Sequence, residues 1–217
     1  MTGARDEILA RVRQTLGPND RLEAVAERLQ SRPRGPLPTW DSALQDRFRE
    51  RLEASAGSLT RVSSGEGAVV EVMAYLDRQG LERELVAAPH PWLVGLSWPD
   101  ELTLHRRAVR DGDRAGITVA FAGIAETGSL VLLSGPQTPT TLNFLVDDFI
   151  CLLPAQRILA HLEDGWDRLR AEIGGLPRAV NLITGPSRTA DVEQTIQLGA
   201  HGPRRLHVIL VEDAIGR

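Results

Sequence analysis

The sequence predicts an α/β fold, a three-layer α/β/α sandwich built on a mostly parallel sheet and preceded by an N-terminal helical arm. Three observations carry that prediction. Short runs rich in Val and Ile, such as residues 179–184 and 206–211, have the length and continuity of strands buried on both faces. Runs of this kind alternate with amphipathic helical stretches from residue 57 onward. The chain then closes on a strand, a Gly-Pro-Ser-Arg-Thr turn, a stretch with Val192, Ile196 and Leu198 near helical spacing, and a last strand. That order reads as one βαβ unit with two parallel strands in one sheet.

The elements follow in order. Residues 4–16 place Ile8, Leu9, Val12 and Leu16 on one helical stripe, which Gly17-Pro18 ends. Asn19 or Asp20 caps a second helix carrying Leu22, Val25, Ala26 and Leu29. Residues 31–39 hold three prolines and a glycine and read as an extended linker. A third helix from Asp41 turns Leu44, Phe48 and Leu52 inward. These helices are too thin in apolar content to form their own core, so residues 1–56 are assigned to an arm and residues 57–217 to the α/β domain. Within that domain, strands are expected at 59–62, 85–87 and 102–104, with a helix at 65–79. A strand or buried segment is expected at 117–120, a short apolar run at 123–125, strands at 129–133 and 149–153, and a helix at 158–173 closed by Gly174-Gly175.

Composition narrows the chemistry. Net charge is −4 with no charged tail, which argues against a nucleic-acid footprint. All 25 basic residues are arginine, so a Schiff-base lysine, a lysine-linked pyridoxal phosphate and a lysine-bearing phosphate loop are excluded. The single cysteine, Cys151, can form no internal disulfide and cannot hold an iron–sulfur cluster, which needs about four ligands. No cofactor is therefore expected on this chain. No window approaches the roughly 18–20 apolar residues of a membrane span, and the N-terminus lacks the apolar core of a signal peptide, so the expectation is a cytoplasmic protein. His90, His105 and His161 form no zinc pattern, and no metal is expected. There is neither a G-x-S-x-G elbow nor a G-x-G-x-x-G fingerprint.

Two turns are the candidates for chemistry. Glu126 stands in a turn between apolar runs, with Thr127, Gly128 and Ser129 beside it. A carboxylate so placed can serve as base or nucleophile, or can simply hold the N–H groups of its own turn. Ser134, Thr138, Thr140 and Asn143 follow a strand end and could line a pocket above it. The second turn offers Gly185, Ser187, Arg188 and Thr189. Arginine suits a carboxylate or phosphate because two N–H bonds form in parallel. In a βαβ unit the turn would lie at a strand's carboxyl end and near a helix N-terminus, where an anion is favoured. Asp191 could instead pair with Arg188 and leave the turn structural. His201 lies in a glycine-flanked loop entering the amino end of the last strand, and His207 falls within that strand as a satisfied core or half-buried residue.

The string GPSRTADVEQTIQLGAHGPRRLHVILVED resembles the C-terminal signature of the lactate-utilization protein C family, the LUD-domain proteins, and GIAETGSLVLLSGP is similar to the family's other signature. That resemblance implies a fold related to sugar-phosphate isomerases and coenzyme A transferases, some of which use a glutamate at a turn comparable to Glu126. It brings His201 into the candidate ligand set. It also implies a subunit of a cytoplasmic L-lactate oxidation system yielding pyruvate, accompanied by iron–sulfur and cysteine-rich partner proteins that carry the electrons. The rival reading is a self-sufficient enzyme or binding protein for a phosphorylated or coenzyme A thioester metabolite, with Glu126 as base or nucleophile.

Overall fold

The computed structural model describes residues 3–16, 21–189, 197–199 and 201–213. Contacts divide the chain into two units, Met1–Leu37 and Pro38–Arg217. The first holds α1 (Ala4–Leu16) and α2 (Arg21–Ser31), whose apolar stripes, including Val12, Leu16, Leu22 and Leu29, are exposed. The second unit begins ahead of the boundary expected at Gly57. The reason is α3 (Leu44–Ala54), which sends Phe48 and Leu52 into the core with no exposed surface.

The chain continues through β1 (Ser58–Val62), α4 (Gly65–Arg78), β2 (Glu84–Ala87), α5 (Pro91–Gly95), β3 (Thr103–His105) and β4 (Ala115–Val119). Then come β5 (Ala122–Ile124), β6 (Ser129–Leu133), α6 (Leu142–Leu145) and β7 (Asp148–Pro154). After a 3-10 turn, Ala155–Arg157, follow β8 (Ile158–Leu159), α7 (Leu162–Ile173), β9 (Val180–Ile183), β10 (Arg188–Thr189), β11 (Gln197–Leu198) and β12 (Arg205–Val211).

The central sheet has the order β1-β12-β7-β4-β2-β3, and every pairing in it is parallel. The period of two along a strand sorts its apolar residues between two faces. In β7, Phe149, Cys151 and Leu153 enter one core cluster while Ile150 and Leu152 enter the other. The second face is covered by α4, which Ser64 caps by accepting the N–H of Gly67 at 3.2 Å, and by Leu93 of α5. The first face is covered by α3 and by Leu130 and Leu132 of β6. This is the predicted mixed α/β fold, a parallel central sheet flanked by helices. The layer over the first face includes a four-stranded sheet of order β8-β5-β6-β9.

That smaller sheet corrects the expected final βαβ unit. β9 pairs antiparallel with β6, whereas β12 lies between β1 and β7 of the central sheet. Arg188–Thr189 forms an antiparallel ribbon with Gln197–Leu198, so Leu198, expected on a helix, stands in a strand. Val192 and Ile196 lie outside the described residues. The helix expected from residue 158 starts at Leu162, because Ile158 and Leu159 pair with β5 instead.

Cys151 is fully buried, and burial pushes its thiol well up, which suits a small core residue. Among the described residues, no helix is long and apolar enough to cross a membrane.

Candidate functional site

The Glu126 turn follows β5 and is fixed by backbone bonds on both sides. The Ala125 and Glu126 amides donate to the carbonyls of Leu159 and Ala160 at 2.8 and 3.0 Å, and the Gly128 amide donates to Ile124 at 2.8 Å. Gly128 has φ 72°, and a Cβ there would fall 2.4 Å from the backbone nitrogen of Leu52. Only glycine lets this turn lie directly against α3. The Glu126 carboxylate faces His161, with Oε2 3.3 Å from Nδ1, both side chains being largely buried. His161 precedes α7, and its backbone N–H donates to Asp164 Oδ2 at 2.9 Å. Its ring meets Trp40 at 5.1 Å between centroids, and the Arg47 guanidinium lies 5.4 Å over the Trp40 ring. A carboxylate and an imidazole so paired can exchange a proton.

The Gly185 turn is held against the same, C-terminal end of α3. Gly185 has φ 156°, and a Cβ there would meet the carbonyl oxygen of Ser55 at 2.4 Å. The Ser187 amide donates to Pro203 at 2.8 Å, and the Gly199 amide donates to Ser187 at 3.0 Å. These bonds tie the turn to the loop that leads into β12. A cleft of about 300 Å3 opens there, lined by Asn143, Thr184, Gly185, Ser187, Arg188 and His201 among others. Thr184, Gly185 and Arg188 also line a neighbouring cleft of about 350 Å3 with Ser55. Arg188 and His201 are exposed, while Asn143 is buried.

Hydroxyls join the two turns. Thr127 Oγ1 is 2.7 Å from Ser129 Oγ, which is 2.6 Å from Thr184 Oγ1. The structure thus gathers Asn143, Gly185, Ser187, Arg188 and His201 around one cleft and connects Thr127 and Ser129 to its wall. Glu126 itself is not among the residues lining either cleft. The side chain of Thr189, and Asp191 altogether, lie outside the described residues.

Two expectations change. The Ser187–Thr189 turn does not lead from a strand of the central sheet; it follows β9 of the smaller sheet, and its Ser187 amide is spent on Pro203. His201 lines the same cleft as Arg188, because the loop before β12 folds onto the turn. Ser134 and Thr138 do not join Asn143 but line a separate cleft with His90. Sequence reasoning missed His161, Trp40 and Thr184. His161 is 35 positions from Glu126, and only the parallel pairing of β5 with β8 brings them together. No spacing rule reports such a contact.

His207 meets its expectation. It is 2% exposed, stacks on Tyr75 at 4.6 Å, and bonds Ser58 Oγ at 2.8 Å through Nδ1 and Glu71 at 3.1 Å through Nε2.

Residues 112–211 match the LUD domain. A 97-residue stretch is 37% identical to an uncharacterized protein of Neisseria meningitidis, covering 45% of this chain and 42% of that one. Lactate utilization protein C of Geobacillus thermodenitrificans is 26% identical, with 96% of each chain covered. The protein of that name from Bacillus subtilis is 31% identical over 56% of each. The Neisseria and Bacillus alignments thus span about half the length of those relatives. A DUF162 family protein from Deinococcus radiodurans superposes with a TM-score of 0.55 at 23% identity, covering 80% of this chain and 99% of that one, a likeness of fold. The Glu126 turn and the Arg188 cleft both fall within residues 112–211, the stretch that matches the LUD domain.

Proposed function

We propose that this chain serves lactate utilization as an accessory, substrate-handling subunit in the cytoplasm, holding a small 2-hydroxy carboxylate in the Arg188 cleft. The names of its relatives support the pathway. The observation that carries the site is the convergence of a guanidinium, an imidazole and hydroxyl groups on a cleft of about 300 Å3. Arg188 would take the carboxylate through paired N–H bonds, and Ser187 or Thr184 would bond the 2-hydroxyl. Oxidation to pyruvate would be completed by iron–sulfur and cysteine-rich partners, since the one thiol of this chain is buried away from the cleft.

Two measurements test this. Calorimetric titration of the purified chain with L-lactate should show saturable binding that Arg188→Ala weakens by about tenfold to a hundredfold, as loss of a charge-assisted bond predicts. Anaerobic affinity purification from the native cell should yield partners and L-lactate oxidation that vanishes when they are stripped. No binding, or activity in the bare chain, would sink the subunit reading.

One observation favours the rival reading. Glu126 faces His161 rather than the amides of its own turn, an arrangement fit for a base. Turnover of a phosphorylated or coenzyme A thioester metabolite, abolished in Glu126→Gln, would establish it.

A further inference from the structure

The central sheet has a switch point apart from both candidate turns. From β2 the chain moves outward to β3 at the sheet edge, whereas from β4 it moves the other way, to β7 and then β12. The loops leaving the carboxyl ends of β2 and β4 therefore part, which is the condition for a ligand crevice in a parallel α/β sheet. A cleft of about 380 Å3 lies at that place, a volume typical of small-molecule sites. His90 follows β2 and lines one side; Phe121, after β4, lines another, with Leu133, Ile173 and Pro177 completing apolar walls and Gln137 exposed among the lining residues.

The polar groups of this cleft are few and mostly engaged. Ser134 Oγ accepts the Ala179 N–H at 2.8 Å, and Thr138 Oγ1 donates to the Leu133 carbonyl at 2.5 Å. His90 Nδ1 accepts the Trp92 N–H at 3.2 Å, which leaves the ring proton on Nε2. Burial holds the His90 imidazole below its usual pKa, in keeping with a neutral ring. Among the described residues, no Asp, Glu or Arg lines the cleft. A charged ligand would lose its hydration there without gaining a counter-charge.

We propose that this cleft binds an uncharged ring compound bearing a carbonyl group, with the apolar walls holding the ring and His90 Nε2–H donating to the carbonyl oxygen. The site is separate from the Arg188 cleft, so its fate is independent of lactate binding.

The test uses the full chain labelled with 15N-histidine and titrated with 2-acetylnaphthalene, with 2-naphthoate as the charged counterpart. Long-range 1H–15N spectra should show His90 as the Nε2–H tautomer and a saturable shift of its ring signals with 2-acetylnaphthalene. Binding of 2-naphthoate should be weaker by about tenfold or more. Gln137→Trp, at an exposed position where folding is undisturbed, should fill the opening and abolish the shift. His90→Ala should weaken binding about tenfold by fluorescence. An unmoved His90, equal affinity for 2-naphthoate, or undiminished binding in Gln137→Trp would overturn the proposal.

Discussion

Strands β9 and β12 are the two apolar runs that flank the Arg188 turn, and locally they look alike. Their surroundings differ. Every residue of β12 after Arg205 is buried, with parallel partners on both sides, whereas β9, among the described residues, pairs only with β6 and leaves Leu182 43% exposed. One strand is the middle of a core and the other the edge of a covering sheet. The difference teaches that an apolar run states a preference for burial but not how much burial it receives; that depends on which neighbours the topology supplies.

The same substitution in the two strands gives the largest test. Leu210→Ala in β12, where no surface is exposed, is expected to cost about 2–5 kcal/mol, while Leu182→Ala in β9 should cost less than about 1 kcal/mol. Urea unfolding of both variants measures it, and equal losses would erase the distinction between the strands.

A pH effect comes next, confined to β12. Burial holds folded His207 below its ordinary value of 6.5, and the nearby Glu71 carboxylate only partly pulls it back. The unfolded chain thus takes up this proton at a higher pH than the folded one. Stability from this group is complete above pH 6.5, falls as pH drops below it, and levels off beneath the folded value. The slope is at most about 1.4 kcal/mol per pH unit for one group. His207→Gln should flatten that part of the profile and leave the contribution of His90, whose value is likewise lowered by burial. An unchanged slope would place the titration elsewhere.

The smallest effect belongs to the end of β9. Thr184→Val removes a 2.6 Å hydroxyl contact with Ser129 and should cost about 1 kcal/mol, read as a modest drop in Tm. A loss comparable to Leu210→Ala would mean that the hydroxyl chain, and not the apolar core, anchors the smaller sheet.

Much of the architecture was legible residue by residue. The strand at residues 129–133 and the helix beginning at Gly65 announce themselves by period and by turn residues, because side-chain direction follows backbone geometry. The two turns with Glu126 and Arg188 stood out because polar groups between apolar runs must be paired or exposed. Their meeting at the C-terminal end of α3, and the Thr127–Ser129–Thr184 chain between them, was not legible. Neither was His161, which no sequence period links to Glu126.

By itself the sequence determined the α/β class, the absence of lysine chemistry, and the segments that carry the candidate groups. These are local properties, written in composition and in periods of two and 3.6. The tertiary structure alone decided that β9 and β12 enter different sheets, that His201 joins Arg188, and that a cleft opens between β2 and β4. Such outcomes depend on which distant strands share hydrogen bonds, and a strand's own residues offer the same N–H and C=O groups to every partner.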